Sequence, residues 1–234
     1  FCGVRFDEAG LSSALVDHLT TKLNLEVLTH VQRATIPAVL RGQDVLMRAR
    51  TGTGKTLAFM IPIVERLHSR RVRLQRSDGT IAMVVAPTRE LCLQIHEVAS
   101  GLTRPFYWLV TTTIMGGEKK KSEKARLRKG VTMVVGTPGR LLDHMKTTTA
   151  FNVGGVEFVV LDEADRLLDM GFERDVSEII SHIDQARLDG GRRQTVLVSA
   201  TLGGKVQKLA GTALHDPVVV NASAMGNAEA AKDG

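Results

Sequence analysis

The sequence has 234 residues, of which 43% are hydrophobic and 24% charged, and its formal net charge is +6 at pH 7. This length supports one sizeable core, while no apolar run approaches the roughly 18 residues that a membrane span needs, so we expect no membrane partner. There are only two cysteines, which lie far apart and have no His or Cys neighbours at metal-ligand spacing, and this favours a reduced intracellular compartment. Neither an initiator methionine nor a secretory signal is present, which favours a piece of a longer protein.

Positive charge is concentrated in the middle of the chain. Lys and Arg outnumber Asp and Glu over residues 48–150, whereas acidic residues are in excess on both sides. This block favours a polyanionic partner, although basic surfaces are also commonly only solvated. Because aromatic residues make up only 4% of the chain, we expect contacts with a nucleic-acid backbone rather than base stacking as the main mode.

Short Val/Ile/Leu-rich runs alternate with helical stretches, and this alternation predicts one α/β domain with a mostly parallel sheet. The expected strands are residues 44–48, 81–86, 108–114, 131–135, 156–161, 194–199 and 217–220. Amphipathic helices are expected between them, for example over 89–101 and 172–183. Cys92 falls on the apolar side of the first of these helices, which favours a core position over a reactive thiol.

A glycine-rich loop follows the first predicted strand and precedes a helix. It reads Ala49-Arg50-Thr51-Gly52-Thr53-Gly54-Lys55-Thr56. A phosphate-binding loop has this context, because its glycines and the helix N-terminus turn backbone N–H groups toward the phosphates. Lys55 is expected to reach the β- and γ-phosphates, and Thr56 to bind Mg²⁺. Ala49 departs from the general pattern, which has glycine there.

The strand predicted at 156–161 runs directly into Asp162-Glu163-Ala164-Asp165. Acidic residues commonly begin helices, so this segment alone is a moderate signal. Open α/β sheets, however, bind ligands beyond the carboxyl ends of their strands. Together with the glycine loop, the segment predicts a Mg²⁺-nucleotide site in which Asp162 faces the ion and Glu163 orients or deprotonates a water.

Four more segments follow predicted strands: residues 86–91, 115–117, 137–140 and 199–201. Each can be an ordinary strand-to-helix turn. Together they place small residues, hydroxyls, helix N-terminal amides and arginines along one sheet edge, an arrangement that can grip a phosphodiester backbone.

In order and spacing, these segments resemble the first RecA-like domain of DEAD-box RNA helicases over nearly the whole chain. Residues 49–56 resemble motif I of that family, 87–91 motif Ia, 137–140 motif Ib, 162–165 motif II and 199–201 motif III. The resemblance implies a RecA-like P-loop NTPase domain over residues 1–221, with helices on both faces of a mostly parallel sheet and with ATP and Mg²⁺ as cofactors. Residues 222–234 are then a flexible tail or the start of a linker.

The resemblance also implies a role for each motif residue. Catalysis falls to Lys55, Asp162 and Glu163, and metal binding to Thr56 and Asp162. The phosphates are held by Arg50, Thr51, Gly52, Thr53, Gly54, Lys55 and Thr56. The RNA backbone is bound by Pro87, Thr88, Arg89, Gly116, Gly117, Thr137, Pro138, Gly139 and Arg140. The two sites are coupled through Asp165, Ser199, Ala200 and Thr201.

Residues 1–43 resemble the adenine-reading flank of the family, in a less regular form. Gln32 ends the segment beginning at Asn24 and can pair with the adenine edge, and Phe6 lies at the upstream distance of an aromatic that can stack on the base. Leu25 and Leu28 depart from the family pattern. The alternative for Gln32 is a solvated residue at a helix start.

Two further segments, residues 75–79 and 116–130, resemble a nucleolar subgroup that acts in assembly of the large ribosomal subunit. This implies precursor ribosomal RNA and pre-ribosomal proteins as partners and the nucleus and nucleolus as location. Residues 119–129 predict a helix with Lys120, Lys124 and Arg128 along one face, Leu127 toward the core and Glu123 offsetting part of the repulsion. That face is either solvated surface or an auxiliary RNA contact.

The activity implied for the full protein is ATP-dependent opening of short RNA duplexes, and the alternative is an ATP-gated RNA clamp. A DNA-directed translocase is disfavoured by the Asp-Glu-Ala-Asp segment with Gln32. The second RecA-like domain of the family, whose arginines complete the ATP site, is absent from this sequence. Since arginine fingers contribute about 10³ to 10⁵ in rate, we expect the isolated chain to be a monomer that binds nucleotide and hydrolyses it slowly.

Overall fold

The computed structural model describes residues 2–50, 52–187 and 190–221. Its centre is a seven-stranded sheet in the order β3-β4-β2-β5-β6-β1-β7, and all six strand pairings are parallel. The strands are β1 Val45–Arg48, β2 Ala82–Val85, β3 Thr111–Ile114, β4 Met133–Gly136, β5 Phe158–Leu161, β6 Gln194–Ser199 and β7 Val218–Asn221. The predicted α/β fold with a parallel sheet is therefore confirmed, while the predicted tail at 222–234 lies outside the described residues.

Helices connect the strands and cover both faces of the sheet. They are α1 Ser13–Thr21, α2 His30–Leu40, α3 Lys55–His68, α4 Arg89–Thr103, α5 Lys120–Arg128, α6 Pro138–Thr147, α7 Ala164–Asp169, α8 Glu173–Ala186 and α9 Gly204–Ala213. Two short 3-10 turns lie at Phe6–Glu8 and Arg76–Asp78. Within the part of the chain that the structure describes, no helix is both long and apolar enough to cross a bilayer.

The sheet divides the core into two layers because side chains along a strand point alternately to opposite faces. Val84 packs into the layer formed with α1 to α4, and its neighbour Val85 packs into the layer formed with α5 to α9. Strands buried on both faces read as continuous apolar runs, which is why the sequence located all seven. Cys92 is fully buried, as predicted, and burial raises the pKa of its thiol to about 12.

The predicted strand at 108–114 is shorter in the structure, where β3 begins at Thr111. A tight turn occupies the missing part: Phe106 N donates to Thr103 O and Leu109 N donates to Phe106 O, both at 2.8 Å. The apolar side chains at 106 and 109 are still buried, because the turn folds them back over α3 and α4. The apolar pattern over 108–114 therefore predicted burial correctly, but the strand conformation only for residues 111–114.

A buried carboxylate ties three strands together at the end of the sheet where they begin. Asp44, 2% exposed, accepts hydrogen bonds from Thr195 N at 2.8 Å, His215 N at 2.8 Å and the Arg192 guanidinium at 2.6 Å. Burial raises the pKa of Asp44, while Thr195 and Arg192 act in the opposite direction. The side chain therefore holds the starts of β1 and β6 and the approach to β7.

Replacing Asp44 by Ala should lower the free energy of unfolding by about 3 kcal/mol, since the buried Thr195 N–H, the partly buried His215 N–H and one arginine lose their acceptor. Urea unfolding followed by circular dichroism measures this loss. Asp7→Ala is the control, because the Asp7 side chain is half exposed and its ion pair within the described residues is with Arg5; we expect a change within about 0.5 kcal/mol. Equal losses in the two variants would contradict the assignment.

Candidate functional site

The carboxyl ends of β1, β5 and β6 lie side by side, and three of the predicted segments meet there. Residues 49–56 follow β1, Asp162 follows β5, and Ser199 ends β6. Backbone hydrogen bonds extend the ladder into the site, with Ala49 N donating to Ser199 O at 3.0 Å and Asp162 N to Val85 O at 2.9 Å. The parallel topology thus gathers at one edge what the sequence spreads over about 150 residues.

The loop before α3 needs glycine at two described positions. Gly52 and Gly54 have φ of +80° and +82°, a region that costs other residues strain. A Cβ on Gly54 would lie 2.7 Å from Gln32 Nε2, so a residue larger than glycine would also clash with the Gln32 side chain. Thr53 Oγ1 donates to Arg50 O at 2.9 Å and tightens the turn, while Thr51 lies outside the described residues.

Lys55 opens α3 and points at the acidic segment. Its Nζ lies 3.1 Å from Asp162 Oδ1 and 3.6 Å from Glu163 Oε1, and the residue is 8% exposed. The structure therefore joins the three residues that the sequence predicted as catalytic. The ammonium group neutralises the carboxylates beside which the phosphates are expected to lie.

Asp162 is fully buried, and this burial raises the pKa of its carboxyl group, although Lys55 and the Glu163 N–H act in the opposite direction. Oδ1 accepts hydrogen bonds from Lys55 Nζ and from Glu163 N. Oδ2 has no hydrogen-bond partner among the described residues, and the same holds for the buried hydroxyl of Ser199. An unpartnered carboxylate oxygen suits a hard cation such as Mg²⁺, which takes one or two protein carboxylates together with phosphate and water oxygens.

Glu163 is held in a backbone conformation that is unusual for its residue type. Its φ and ψ are 50° and 54°, in the left-handed region, where a non-glycine residue costs about 1 kcal/mol or more. The side chain is steered from both sides, because Arg166 Nη1 donates to Oε2 at 3.2 Å and Lys55 lies near Oε1. Such strain at a residue beside the phosphate loop agrees with the predicted role in positioning water.

Asp165 connects the acidic segment to the segment after β6. Its Oδ2 accepts hydrogen bonds from Thr201 N at 3.0 Å and from Thr201 Oγ1 at 3.1 Å. Two of the four residues predicted to couple the sites are therefore in direct contact. Ser199 is buried at the end of β6 and Ala200 is exposed beside it.

Gln32 bridges the start of α2 and the phosphate loop. Its Oε1 accepts from Thr29 N at 2.9 Å, its own N–H is capped by Thr29 Oγ1, and its Nε2 donates to Gly54 O at 3.3 Å. With 3% exposure, it is not the solvated helix-start residue of the alternative interpretation. One N–H and one oxygen lone pair of the amide remain for a ligand.

The structure buries Phe6, the residue that the sequence predicts to stack on adenine. The residue is 1% exposed and belongs to the core layer of α1 to α4. The 3-10 turn at Phe6–Glu8 directs the ring inward, because this aromatic is the only buried residue of that turn. Stacking on a base would require this turn to move away from the domain.

The segments predicted to contact RNA line the same sheet edge. Pro87 and Pro138 are buried, whereas Thr88, Gly116 and Thr137 are partly exposed and Arg89, Gly117 and Gly139 are exposed. Thr88 caps α4 by accepting from Leu91 N at 3.2 Å, and Pro138 occupies the first turn of α6. Gly117 has φ of +95°, and a Cβ there would meet the Arg89 guanidinium at 2.4 Å.

The structure corrects the prediction for Glu123 and gives Arg140 protein partners. Glu123 is fully buried and does not offset surface repulsion: it accepts from Met115 N at 3.0 Å, Arg140 Nε at 2.8 Å and His144 Nε2 at 2.9 Å. The guanidinium of Arg140 is thereby tied to α5, and its Nη2 donates to Glu118 O. Arg140 is thus a clamp between two predicted RNA segments, with a side chain only 20% exposed.

Glu123 and His144 were missed as structural residues, although the sequence carries a signal for the first. Glu123 precedes Leu127 by four residues and therefore shares its helix face, which is the buried face of α5. The predicted helix over 119–129 is confirmed as α5. Lys120 pairs with Asp143 at 2.6 Å, which removes one of the three charges expected to line the exposed face.

Lys55→Met should lower the free energy of unfolding by about 3 kcal/mol, because it leaves the Asp162 carboxylate buried without its cation. Urea unfolding at neutral pH measures the effect. Lys208→Met is the matched control, since Lys208 pairs with Glu173 on the exposed surface and we expect about 0.5 kcal/mol or less. Adding Asp162→Asn to Lys55→Met should restore part of the loss, and an unchanged double variant would contradict the proposed charge pairing.

Comparison with known proteins agrees with this geometry. A family model described as DEAD/DEAH box helicase matches residues 29–209. The chain is 46% identical over 228 residues to the probable ATP-dependent RNA helicase CG8611 of Drosophila melanogaster, covering 95% of the chain and 23% of the relative. It is also 46% identical over 221 residues to the human ATP-dependent DNA helicase DDX31, covering 94% of the chain and 26% of the relative.

A solved structure shows the same fold. The crystal structure of the yeast DEAD-box splicing factor Prp28 superposes with a TM-score of 0.86 at 33% identity, covering 90% of this chain and 49% of that one. The chain spans about a quarter of the length of the two curated relatives. The matched region holds the phosphate loop, the buried Asp162 and the Asp165–Thr201 contact, and the chain belongs to the DEAD/DEAH box helicase family.

Proposed function

We propose that this chain is the ATP-binding half of an ATP-dependent RNA helicase that opens or remodels short RNA duplexes. The observation that carries the proposal is the buried Lys55–Asp162 pair, 3.1 Å apart at the carboxyl ends of β1 and β5, with Asp162 Oδ2 unpartnered. A structural ion pair has no need of an unpartnered buried oxygen, whereas a Mg²⁺-nucleotide site does.

Nucleotide binding requires an exchange of partners in this site. The backbone N–H groups of residues 52–56 and the N-terminus of α3 attract the phosphates. Lys55 then leaves the carboxylates for the β- and γ-phosphates, and Asp162 with Thr56 would hold Mg²⁺. The ion, when bound, supplies positive charge that offsets the charge developing on the phosphates. Glu163 stands beside this position, where its strained backbone aims the carboxylate toward an attacking water.

RNA binding is proposed for the sheet edge formed by residues 87–89, 116–117 and 137–139. Exposed glycines let a sugar–phosphate backbone approach closely, and the N-termini of α4 and α6 turn their positive dipole ends toward it. Such contacts reach phosphates and 2′-hydroxyl groups rather than base edges, so binding is expected to be RNA-selective and largely independent of sequence. Glu123 holds the segments at 116–117 and 137–139 next to each other, because it accepts hydrogen bonds from Met115 N and Arg140 Nε.

Coupling between the two sites is proposed to run through Asp165. This residue belongs to the acidic segment, and it holds Thr201 through two hydrogen bonds. A shift of Asp162 and Glu163 on nucleotide binding would therefore be transmitted to the segment after β6. Spatial adjacency supports this route, and Thr201→Val is expected to reduce RNA stimulation of ATP hydrolysis more than ATP binding itself.

The substrate proposed for the full protein is precursor ribosomal RNA, in assembly of the large ribosomal subunit in the nucleolus. The support is the resemblance of residues 75–79 and 116–130 to that subgroup. A DNA substrate is the second candidate, because one of the similar proteins is named an ATP-dependent DNA helicase. ATPase activity of the full-length protein with RNA or with DNA of matched sequence decides between them: stimulation by DNA alone would contradict an RNA substrate.

An ATP-gated RNA clamp differs from a helicase in what hydrolysis achieves. Both need the same nucleotide site, so the residues of this chain serve either role. Strand displacement from a short RNA duplex, measured beside ATP hydrolysis in the full-length protein, separates them. Hydrolysis with stable RNA retention and no displacement would favour the clamp.

The chain should bind ADP more tightly than GDP, because the remaining N–H and lone pair of Gln32 complement the adenine edge and not the guanine edge. We expect a ratio of about five- to a hundredfold, the range for one bidentate base contact. Isothermal titration calorimetry of the chain with each nucleotide measures it. Gln32→Ala should reduce the ratio toward one, and equal affinities in the unaltered chain would refute the role of Gln32.

Glu163→Gln in the full-length protein should preserve ATP binding and reduce turnover at least about a hundredfold, because the amide keeps the shape of the side chain and loses the base. Steady-state hydrolysis and equilibrium binding of ATP are measured together. Glu173→Gln, on the exposed start of α8, is the control for removal of one carboxylate. Unchanged turnover in Glu163→Gln would show that another group positions the water.

A further inference from the structure

A second basic surface lies at the end of the sheet where the strands begin, opposite the nucleotide site. Helices α3 and α4 both end there, and the two connections that follow them come together. We define this far-edge surface by six residues: Arg71, Val72, Arg73, Arg104, Tyr107 and Trp108. Val72 and Tyr107 are 78% and 79% exposed, which makes them the two most exposed large hydrophobic residues of the described chain.

Aromatic stacking fixes the two connections to each other. Phe106 stacks on His68 at the end of α3, with ring centroids 4.1 Å apart and planes within 13°. Trp108 packs edge-on against Phe106 and Tyr107, and the Arg73 guanidinium lies 4.3 Å from the centre of its ring. The Tyr107 ring therefore contacts Trp108 edge-on while most of its surface faces solvent.

The arginines of this surface lack acidic partners, unlike several of their neighbours. Arg70 pairs with Glu157, and Arg76 donates to the carbonyls of Lys129 and Gly130. Within the described residues, no ion pair involves Arg71, Arg73 or Arg104, and all three are exposed. Their positive charge is thus available to an anionic ligand.

A groove continues the far-edge surface along the end of α4. It has a volume of about 480 Å³ and is lined by His18, Lys22, Leu23, Gly101, Arg104 and Pro105. No carboxylate lines it, and Lys22 and Arg104 flank a floor that includes Leu23 and Pro105. By contrast, the charged residues that line the groove on the other side of α1 are one arginine, Arg5, and three carboxylates, Asp7, Asp17 and Glu26, so that groove is acidic on balance.

We propose that the far-edge surface binds single-stranded RNA, with a base stacked on Tyr107 and phosphates held by Arg71, Arg73, Arg104 and Lys22. This combination of an exposed aromatic ring with unpaired arginines is the chemistry that binds a single strand without sequence preference. A protein partner that binds by apolar contacts would need a larger apolar area than one tyrosine and one valine supply. An acidic protein partner could pair with the arginines but would leave the Tyr107 ring without a contact. The inference rests on the proposed function, since it takes RNA as the ligand.

One RNA molecule can occupy both edges of the sheet. Trp108 precedes β3 and Met115 follows it, so the two surfaces are separated by about 20 Å at roughly 3.3 Å per strand residue. Single-stranded RNA that leaves the proposed RNA site at residues 87–89, 116–117 and 137–139 is thus within reach of Tyr107. The far-edge surface would anchor a flanking strand while the domain acts on the neighbouring duplex.

The test measures binding of full-length protein to fluorescent single-stranded RNA of about 20 nucleotides as salt concentration is varied. The double variant Arg71→Gln/Arg104→Gln is compared with Arg41→Gln/Lys208→Gln, which removes two charges elsewhere on the surface. We expect the first to flatten log K against log[salt] by about 1.4, at about 0.7 per lost phosphate contact, and the second to leave the slope unchanged. Tyr107→Ala should lower affinity at least about fivefold without changing the slope, and Tyr107→Phe should restore it.

An unchanged slope in Arg71→Gln/Arg104→Gln together with unchanged affinity in Tyr107→Ala would overturn the proposal and leave a surface for another protein. Arg89→Gln changes the RNA site proposed at residues 87–89, 116–117 and 137–139. This variant distinguishes failure of the far-edge proposal from failure of the proposed function. Loss of RNA-stimulated hydrolysis in Arg89→Gln with no far-edge effect would support the proposed function and refute this inference. A flatter salt slope or lower RNA affinity in the far-edge variants, without any effect of Arg89→Gln, would support this inference and refute the RNA site proposed at residues 87–89, 116–117 and 137–139.

Discussion

The buried pair between Lys55 and Asp162 is the interaction on which the arrangement of the site depends. A carboxylate taken wholly out of water costs several kcal/mol unless a cation compensates it, and Lys55 is the cation that the fold provides. The pair forms only because β6 holds β1 and β5 close together in the sheet. In the proposed function, nucleotide binding exchanges one compensating charge for another, because Lys55 moves to the phosphates and Mg²⁺ takes its place beside Asp162.

Rigid and strained positions surround this exchange. Gly54 cannot be replaced without meeting Gln32, and Glu163 is fixed in a left-handed conformation between Lys55 and Arg166. The backbone strain keeps the Glu163 carboxylate at the mouth of the site, while Asp162 at the next position faces the interior. Two adjacent acidic residues thus acquire different environments, one apolar and one partly solvated, which is how neighbouring carboxylates come to perform different chemistry.

The sequence predicted what depends on local pattern and missed what depends on packing between elements. Strands buried on both faces are continuous apolar runs, and the glycine loop needs left-handed backbone, so both were readable from residue types. The burial of Phe6 depends on packing between elements, and no local pattern indicates it. Glu123 shares the helix face of Leu127, which indicates burial, but nothing local shows that Arg140 and His144 contact it there. Arg140 has an acidic partner seventeen positions away in sequence, with β4 between their two helices, and only the folded chain brings it to Glu123.

The two edges of a parallel sheet must bind phosphate by different means. At the carboxyl edge, helices begin, so their N-terminal amides and positive dipole ends attract anions and the side chains need only be small. At the opposite edge, helices end, and their carbonyl groups repel anions. Any phosphate binding there must come from side chains that outweigh this field, which is the composition of the surface around Arg73, Arg104 and Tyr107. The same topology that makes glycine and threonine sufficient at one edge therefore requires arginine and an aromatic ring at the other.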